Sequence, residues 1–370
     1  MKKIISLITA SILSLGILAG CGTASGKTTT AASSATGLTK MQDYFFEVDG
    51  VEVFNTIITL MAYEKDEATF NGYVDQAKTS FLYYHKLFDI YHTYEGMNNI
   101  KTVNDQAGKA PVKVDAPLIE LIQQARTYYE TTGRETNIAM GAVLRIWHDY
   151  RDKYDNKGEG DAIPSMAELQ AANQHVNLDD ILIDEAASTI YLKDPEMSLD
   201  LGAFAKGFAT EKVVAELRQA GMKYALISAG GNIKIIGAPI EAGKTKWGIG
   251  IQDPFGGAEG YIETLFLDKG SVVSSGDYER YYTYQGKRMH HIIDPKTLMP
   301  ADYFSQVSIL TEDSALADFM STTLYLLPYE DGYKMAQEMG LEVMWVFKDK
   351  SIKTTPGLEK VMKSLGATSK

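Results

Sequence analysis

The sequence predicts an α+β fold with largely antiparallel sheets, and two observations carry that prediction. Short β-rich runs follow one another from Tyr224 onward with glycine-containing turns between them, and segments of helical spacing lie before and after these runs. The 370 residues suffice for one large domain or two intimately packed lobes with a sizeable core, and no short-period repeat is present.

The elements are read in chain order. Lys2 and Lys3 precede an apolar stretch over 4–19 that ends at Leu18-Ala19-Gly20-Cys21, and Cys21 is the only cysteine. A charged start, a short apolar run and a small-residue junction predict a secretory signal over 1–20, too short to serve as a stable span. The junction has the lipobox form of bacterial lipoproteins, in which the cysteine is acylated after cleavage; a buried or stray thiol is the competing reading. Residues 22–40 are Gly, Ala, Ser, Thr and Lys with a single leucine, so a flexible tether is expected. The folded region is expected over 41–365, with order from about Tyr44, and 366–370 as a flexible tail. A strand is predicted over 54–63 from its β-branched and apolar residues. Helices are predicted over 66–87 and 116–132, the second stopped by Gly133, and an apolar pattern continues over 141–150 around Trp147. A charged loop follows over 150–161, and Ser165, with Glu168 three residues on, caps a helix reaching about Gln174. Short strands are expected over 181–183 and 189–192, then a helix over 206–220 stopped by Gly221. The β runs lie at 224–228, 233–236, 247–251, 262–267, 271–275, 280–284 and 307–310. Helices over 314–327 and 330–339 and a strand over 341–347 complete the set.

Charge and composition exclude several classes of chemistry. The formal net charge is −12, and loss of Lys2 and Lys3 makes it about −14. That argues against nucleic acid, whose binding rests on Lys and Arg neutralising phosphates. An anionic ligand needs a local correction, from a metal ion or backbone N–H groups. With Cys21 acylated no thiol remains for disulfides, zinc-thiolate sites or cysteine catalysis, and none of the six histidines forms a HExxH pair.

Four segments carry candidate chemistry. Asp200-Leu201-Gly202-Ala203-Phe204-Ala205-Lys206-Gly207 joins an extended stretch to a helix start, where unpaired N–H groups and Lys206 suit an anion; a small turn made for packing reads equally well. Ser228-Ala229-Gly230-Gly231-Asn232 lies between two strands and forms either a plain hairpin turn or an anion-holding nest. Ser274-Ser275-Gly276-Asp277-Tyr278-Glu279-Arg280 is followed by His290-His291-Ile292-Ile293-Asp294-Pro295. On a strand, adjacent side chains face opposite ways, so one histidine faces a ligand and the other does not. Such a histidine is a general base or a structural residue. In the run 313–322, Asp318 and Thr322 are one turn apart on a helix, which offers two hard oxygen ligands suited to Mg²⁺ beside phosphates, or else a polar stripe.

Together and in this order, LDLGAFAKGFATE (199–211), SAGGNI (228–233), SSGDYERYY (274–282), HHIIDPKT (290–297) and ADFMSTT (317–323) resemble the ApbE family of flavin transferases. The looser resemblance extends from about Tyr44 to the C-terminus. It implies an ApbE-like fold and Mg²⁺-dependent transfer of the FMN half of FAD to a Ser or Thr hydroxyl of an acceptor protein, with release of AMP. Carried over by position, it makes Asp318, Thr322 and the Ala203 carbonyl the metal ligands, and His291 the catalytic histidine, which also contacts the cofactor. Lys206, Gly230, Gly231, Asn232, Ser275 and Gly276 are the residues expected to contact FAD, with Tyr94 as an aromatic neighbour of the flavin. The N-terminal third departs from the family pattern. Phe54-Asn55-Thr56 stands where Met-Gly-Thr is usual, Met97-Asn98-Asn99-Ile100 where a Ser-Glu pair is usual, and Arg134-Glu135-Thr136-Asn137 where Phe-Asp-x-Thr is usual. An FAD pyrophosphatase and a non-catalytic FAD-binding lipoprotein are the alternative functions. With Cys21 acylated, the protein is expected on the extracytoplasmic face of the cell membrane. Its expected partners are FAD and envelope proteins exposed there, electron-transfer flavoproteins in particular.

Overall fold

The computed structural model describes residues 25–30, 37–256 and 260–370; the signal segment and Cys21 lie outside them. Nine strands form one antiparallel sheet whose order in space repeats the order in the chain. They are β1 (Ser25–Thr30), β2 (Thr39–Phe45), β3 (Ile58–Glu64), β4 (Ala225–Ala229), β5 (Asn232–Ile235), β6 (Gly270–Gly276), β7 (Phe304–Thr311), β8 (Glu342–Phe347) and β9 (Ile352–Thr354). The helices and hairpins that build the cleft are insertions between consecutive strands.

Alternation along the strands divides the interior. Leu60, Ile227, Val273, Ile309 and Val343 face one core, where helices α1 (Glu67–Phe88), α2 (Ala205–Gln219) and α3 (Ser314–Leu326) bury Phe70, Phe81, Phe208, Val213 and Phe319. Leu226, Val272 and Met344 face a second core, closed by the hairpin of Trp247–Gln252 and Tyr261–Leu267 with Leu358 and Met362. A third cluster joins the helices Gly141–Lys153 and Met166–Ala172 to the hairpin of Tyr281–Tyr284 and Lys287–His290. Trp147 is buried at its centre, and its indole N–H donates to the Leu298 carbonyl at 3.0 Å. Among the described residues no helix is long and apolar enough to cross a membrane.

Local chemistry accounts for the helices. Asp66 caps α1 by accepting from the Thr69 N–H at 2.7 Å, and buried residues at three- and four-residue spacing, from Phe70 to Phe88, put one face on the sheet. Ser165 likewise accepts from the Glu168 N–H at 3.2 Å. Helix α2 stops where Gly221 takes a φ of 107°, as its glycine predicts.

The structure corrects the sequence reading at three places. The strand expected from Phe54 begins at Ile58, because Val53–Asn55 forms a tight turn with φ of 52° at Phe54 and 49° at Asn55. Tertiary contacts override strand propensity there: the Phe54 ring packs on Phe81 and His85, and its N–H donates to the His85 imidazole. The segment expected to be a tether contains β1, which pairs with β2 from Ser25↔Phe45 to Thr30↔Lys40. β2 offers an edge of unpaired backbone groups, and a threonine run fits a pleated edge. The expected flexible tail is fastened, because the Ser369 carbonyl accepts from the N–H groups of Thr245 and Lys246 at 2.8 and 3.1 Å.

Candidate active site

A cleft of about 1490 Å³ opens where the three clusters meet. Its walls include Ala203, Lys206, Gly230, Gly231, Ser275, Gly276, His291, Asp318 and Thr322, drawn from five separate chain segments.

Gly207 explains how two of those segments meet. A Cβ at this position would collide with the Ser314 carbonyl oxygen and the Asp318 Cβ, so the start of α2 lies directly on α3. The Gly207 N–H donates to Asp318 Oδ2 at 2.7 Å, and Lys206 Nζ lies 3.9 Å from Asp318 Oδ1. Asp318 is buried, and Thr322 follows one turn later on the same helix. Ser321 donates to the Asp318 carbonyl at 2.8 Å, which spends its only hydrogen. Ser275 therefore donates to Ser321 at 2.7 Å and ties β6 to α3 beside Asp318. In the same way Thr323 donates to the Phe319 carbonyl, so Thr136 donates to Thr323 at 2.8 Å and fixes the segment before helix Gly141–Lys153.

The two histidines face different ways, as alternation requires. His290 is buried, accepts from the Ile292 N–H at Nδ1 (3.3 Å) and donates from Nε2 to the Ala301 carbonyl at 2.8 Å. Burial, helped by the Lys348 charge, pushes its pKa down to about 4. His291 lines the cleft, and its backbone N–H donates to the Arg280 carbonyl at 3.1 Å. Its Nδ1 is buried without a hydrogen-bond partner among the described residues. Burial, then the positive charges of Arg280, His290, Arg151 and Lys206, hold its pKa well below the ordinary imidazole value. The ring is neutral at pH 7 and can accept a proton.

Two residues expected at the site lie elsewhere. Asn232 is buried and off the cleft wall; its strand neighbour Ile233 lines the cleft, so Asn232 points to the opposite face. Tyr94 is also off the wall, because its hydroxyl turns back to donate to Asp89 at 2.7 Å, and Tyr91 lines the cleft instead.

The family follows from a family model that matches residues 54–345, described as the ApbE family. The chain belongs to the ApbE family. FAD:protein FMN transferase of Klebsiella pneumoniae is 32% identical over 276 residues, covering 72% of this chain and 83% of that protein. The protein of the same name from Treponema pallidum is 33% identical over 272 residues, covering 70% and 73%. The crystal structure of the ApbE protein of Thermotoga maritima superposes with a TM-score of 0.72 at 26% identity, over 86% of this chain and 99% of that one. The flavin transferase ApbE of Vibrio cholerae shares the fold, with a TM-score of 0.69 at 20% identity over 86% and 99%.

This ApbE cleft also contains residues that the sequence motifs did not single out. His148 accepts or donates at Nδ1 with the Tyr91 hydroxyl at 3.1 Å, and its Nε2 lies 3.9 Å from Asp200. Burial lowers its pKa, and the Asp200 charge offsets part of that fall. Arg151 lies in the last turn of the same helix, and burial and the nearby Arg280 lower its pKa. His148 and Arg151 are three apart on one helix, but only tertiary packing brings them to the cleft that His291 also lines. His85 and Asp89, four apart at the end of α1, line the wall in the same unannounced way.

The donor set fits a hard cation. Among the described residues no group of three His, Cys, Asp or Glu could hold a metal ion. Asp318 supplies one carboxylate and Thr322 one hydroxyl, and Ala203 lines the same cleft. One carboxylate and neutral oxygens suit Mg²⁺, which keeps water ligands and shares substrate phosphates.

Proposed function

We propose that the chain is an extracytoplasmic, Mg²⁺-dependent FAD:protein FMN transferase that modifies a Ser or Thr hydroxyl of an acceptor protein and releases AMP. The observation that carries this reading is the meeting of Asp318, Lys206 and the neutral His291 in one large cleft. Pockets for small molecules occupy roughly 300–1,000 Å³, so this cleft has room for a dinucleotide and part of an acceptor chain.

His291 takes the proton of the acceptor hydroxyl. The hydroxyl oxygen bonds to the FMN phosphorus as the bond from that phosphorus to the bridging oxygen breaks, and AMP departs with the electron pair. Lys206 and the open backbone at Gly231 balance the diphosphate charge in an acidic protein, while the Gly230 N–H is held by the Ile57 carbonyl. Asp318, Thr322 and the Ala203 carbonyl are the residues that would hold Mg²⁺, which supplies Lewis-acid polarisation of the phosphoryl group.

The test combines the full chain with FAD, MgCl₂ and purified envelope proteins and measures acceptor mass and AMP. An acceptor gain equal to one FMN moiety per AMP released is expected. Free FMN and AMP without an adduct identify a pyrophosphatase, and bound FAD without AMP identifies a carrier; either result overturns transfer. For the membrane anchor, Cys21→Ser is expected to move the protein from the membrane fraction to the soluble fraction. A variant that stays with the membrane refutes anchoring through Cys21.

A further inference from the structure

The cleft wall contains a turn that the transfer chemistry does not use. Phe54 and Asn55 are consecutive non-glycine residues with left-handed backbone, and Phe54, Asn55 and Thr56 all line the cleft. Such a conformation persists only where the surroundings impose it. Thr56 sits hard against Gly230, where a Cβ would collide with the threonine hydroxyl, and the Gly230 N–H donates to the Ile57 carbonyl at 3.2 Å. The turn, Thr56 and the two glycines thus form one continuous surface. The local sequence favours extended backbone from Phe54 onward, so something must hold the turn against that preference.

A chain of three side chains does so. The Phe54 N–H donates to His85 Nδ1 at 3.1 Å, and the two rings meet edge to face at 5.4 Å. With Nδ1 as acceptor, a neutral imidazole carries its proton on Nε2. That Nε2 lies 3.5 Å from the Tyr94 hydroxyl, and Tyr94 donates to Asp89 Oδ2 at 2.7 Å. Asp89 is buried where α1 ends and also accepts from the N–H groups of Tyr91 (2.7 Å) and His92 (3.3 Å). The direction of every bond agrees, so Asp89 and Tyr94 fix the tautomer that leaves Nδ1 free to accept.

We infer that His85 is a positioning residue for the flavin nucleotide, holding the turn at Phe54 and Asn55, and with it the surface of Thr56, Gly230 and Gly231, through its Nδ1 acceptor. The inference rests on the reading of this cleft as the FAD site. Without the acceptor, the turn relaxes toward the extended backbone that would lengthen β3, and Thr56 leaves Gly230.

The experiment compares His85→Leu, His85→Asn and His85→Gln by flavin fluorescence on binding and by steady-state transfer. Asn presents an oxygen near the Nδ1 position; Gln presents one only near Nε2. His85→Leu and His85→Gln are expected to raise Kd and KM for FAD about tenfold while kcat at saturating FAD stays within about twofold, and His85→Asn to restore both to within about threefold. Wild-type affinity in His85→Leu overturns the inference, as does equal affinity in His85→Asn and His85→Gln. The second comparison decides the matter where the leucine variant does not fold. Failure of the unmodified protein to bind FAD overturns the assignment of the cleft, and the inference with it.

Discussion

His290 and His291 show how one residue's step along a strand separates structure from chemistry. His290 spends both ring nitrogens inside the protein and packs edge to face on Tyr325 at 5.8 Å. His290→Ala is expected to cost about 2–4 kcal/mol, measured by denaturant unfolding, through the cavity and the unpaired Ala301 carbonyl. His291→Ala is expected to reduce transfer at least about 100-fold with little change in FAD affinity; an effect confined to affinity assigns His291 to binding. Asp318→Asn keeps an acceptor for the Gly207 N–H but removes the charge. Turnover is expected to disappear while the melting temperature holds, and an unchanged rate with the same metal dependence contradicts the ligand assignment. Alternation made the split between the histidines legible in the sequence. Tyr94 and Asn232 were not legible in the same way, because the partners that turn them from the cleft, Asp89 and a buried strand face, are fixed only by tertiary packing.

Among the elements, the contact of α2 with α3 positions the site. Gly207→Ala places a methyl group against the Ser314 carbonyl and Asp318, so the helices must part. A loss of about 1–3 kcal/mol is expected by urea unfolding, with a larger fractional loss of metal-dependent turnover than of stability. Equal stability and equal turnover would mean that the helices tolerate separation. The motif around Gly207 was legible because a small residue, a cation and a helix start lie together in the chain. Helices and strands after Tyr224 were legible too, from glycine turns and β-branched runs. The β2 strand was obscured by Lys40 and Gln42, which face away from its buried Met41 and Phe45, and by Asp43, which shares their face and lies 3.9 Å from Lys78 of α1. At Phe54 the pattern misled, since propensity cannot register a histidine 31 residues away.

At the scale of the molecule, His85, His148, His290 and His291 all have lowered pKa values, with burial the largest cause. Above pH 6.5 both folded and unfolded chains leave them neutral, and their contribution to stability is complete. As pH falls below 6.5 the unfolded chain takes up protons that the folded chain refuses, so stability declines; His290 alone costs about 3 kcal/mol by pH 4. Melting temperature is therefore expected to fall steeply from pH 6.5 to pH 4, and a flat profile would show these rings protonated in the folded state. The chain-order sheet has a kinetic consequence as well. β3 and β4 are neighbours, yet residues 65–224 lie between them, so their pairing closes by far the longest loop in the sheet. β5 to β9 are joined by much shorter connections, but Thr56 meets Gly230 only when that long loop closes. The cleft is thus expected to be among the last features to form during folding, and a ligand added to a refolding reaction to find its site only after most of the sheet is complete.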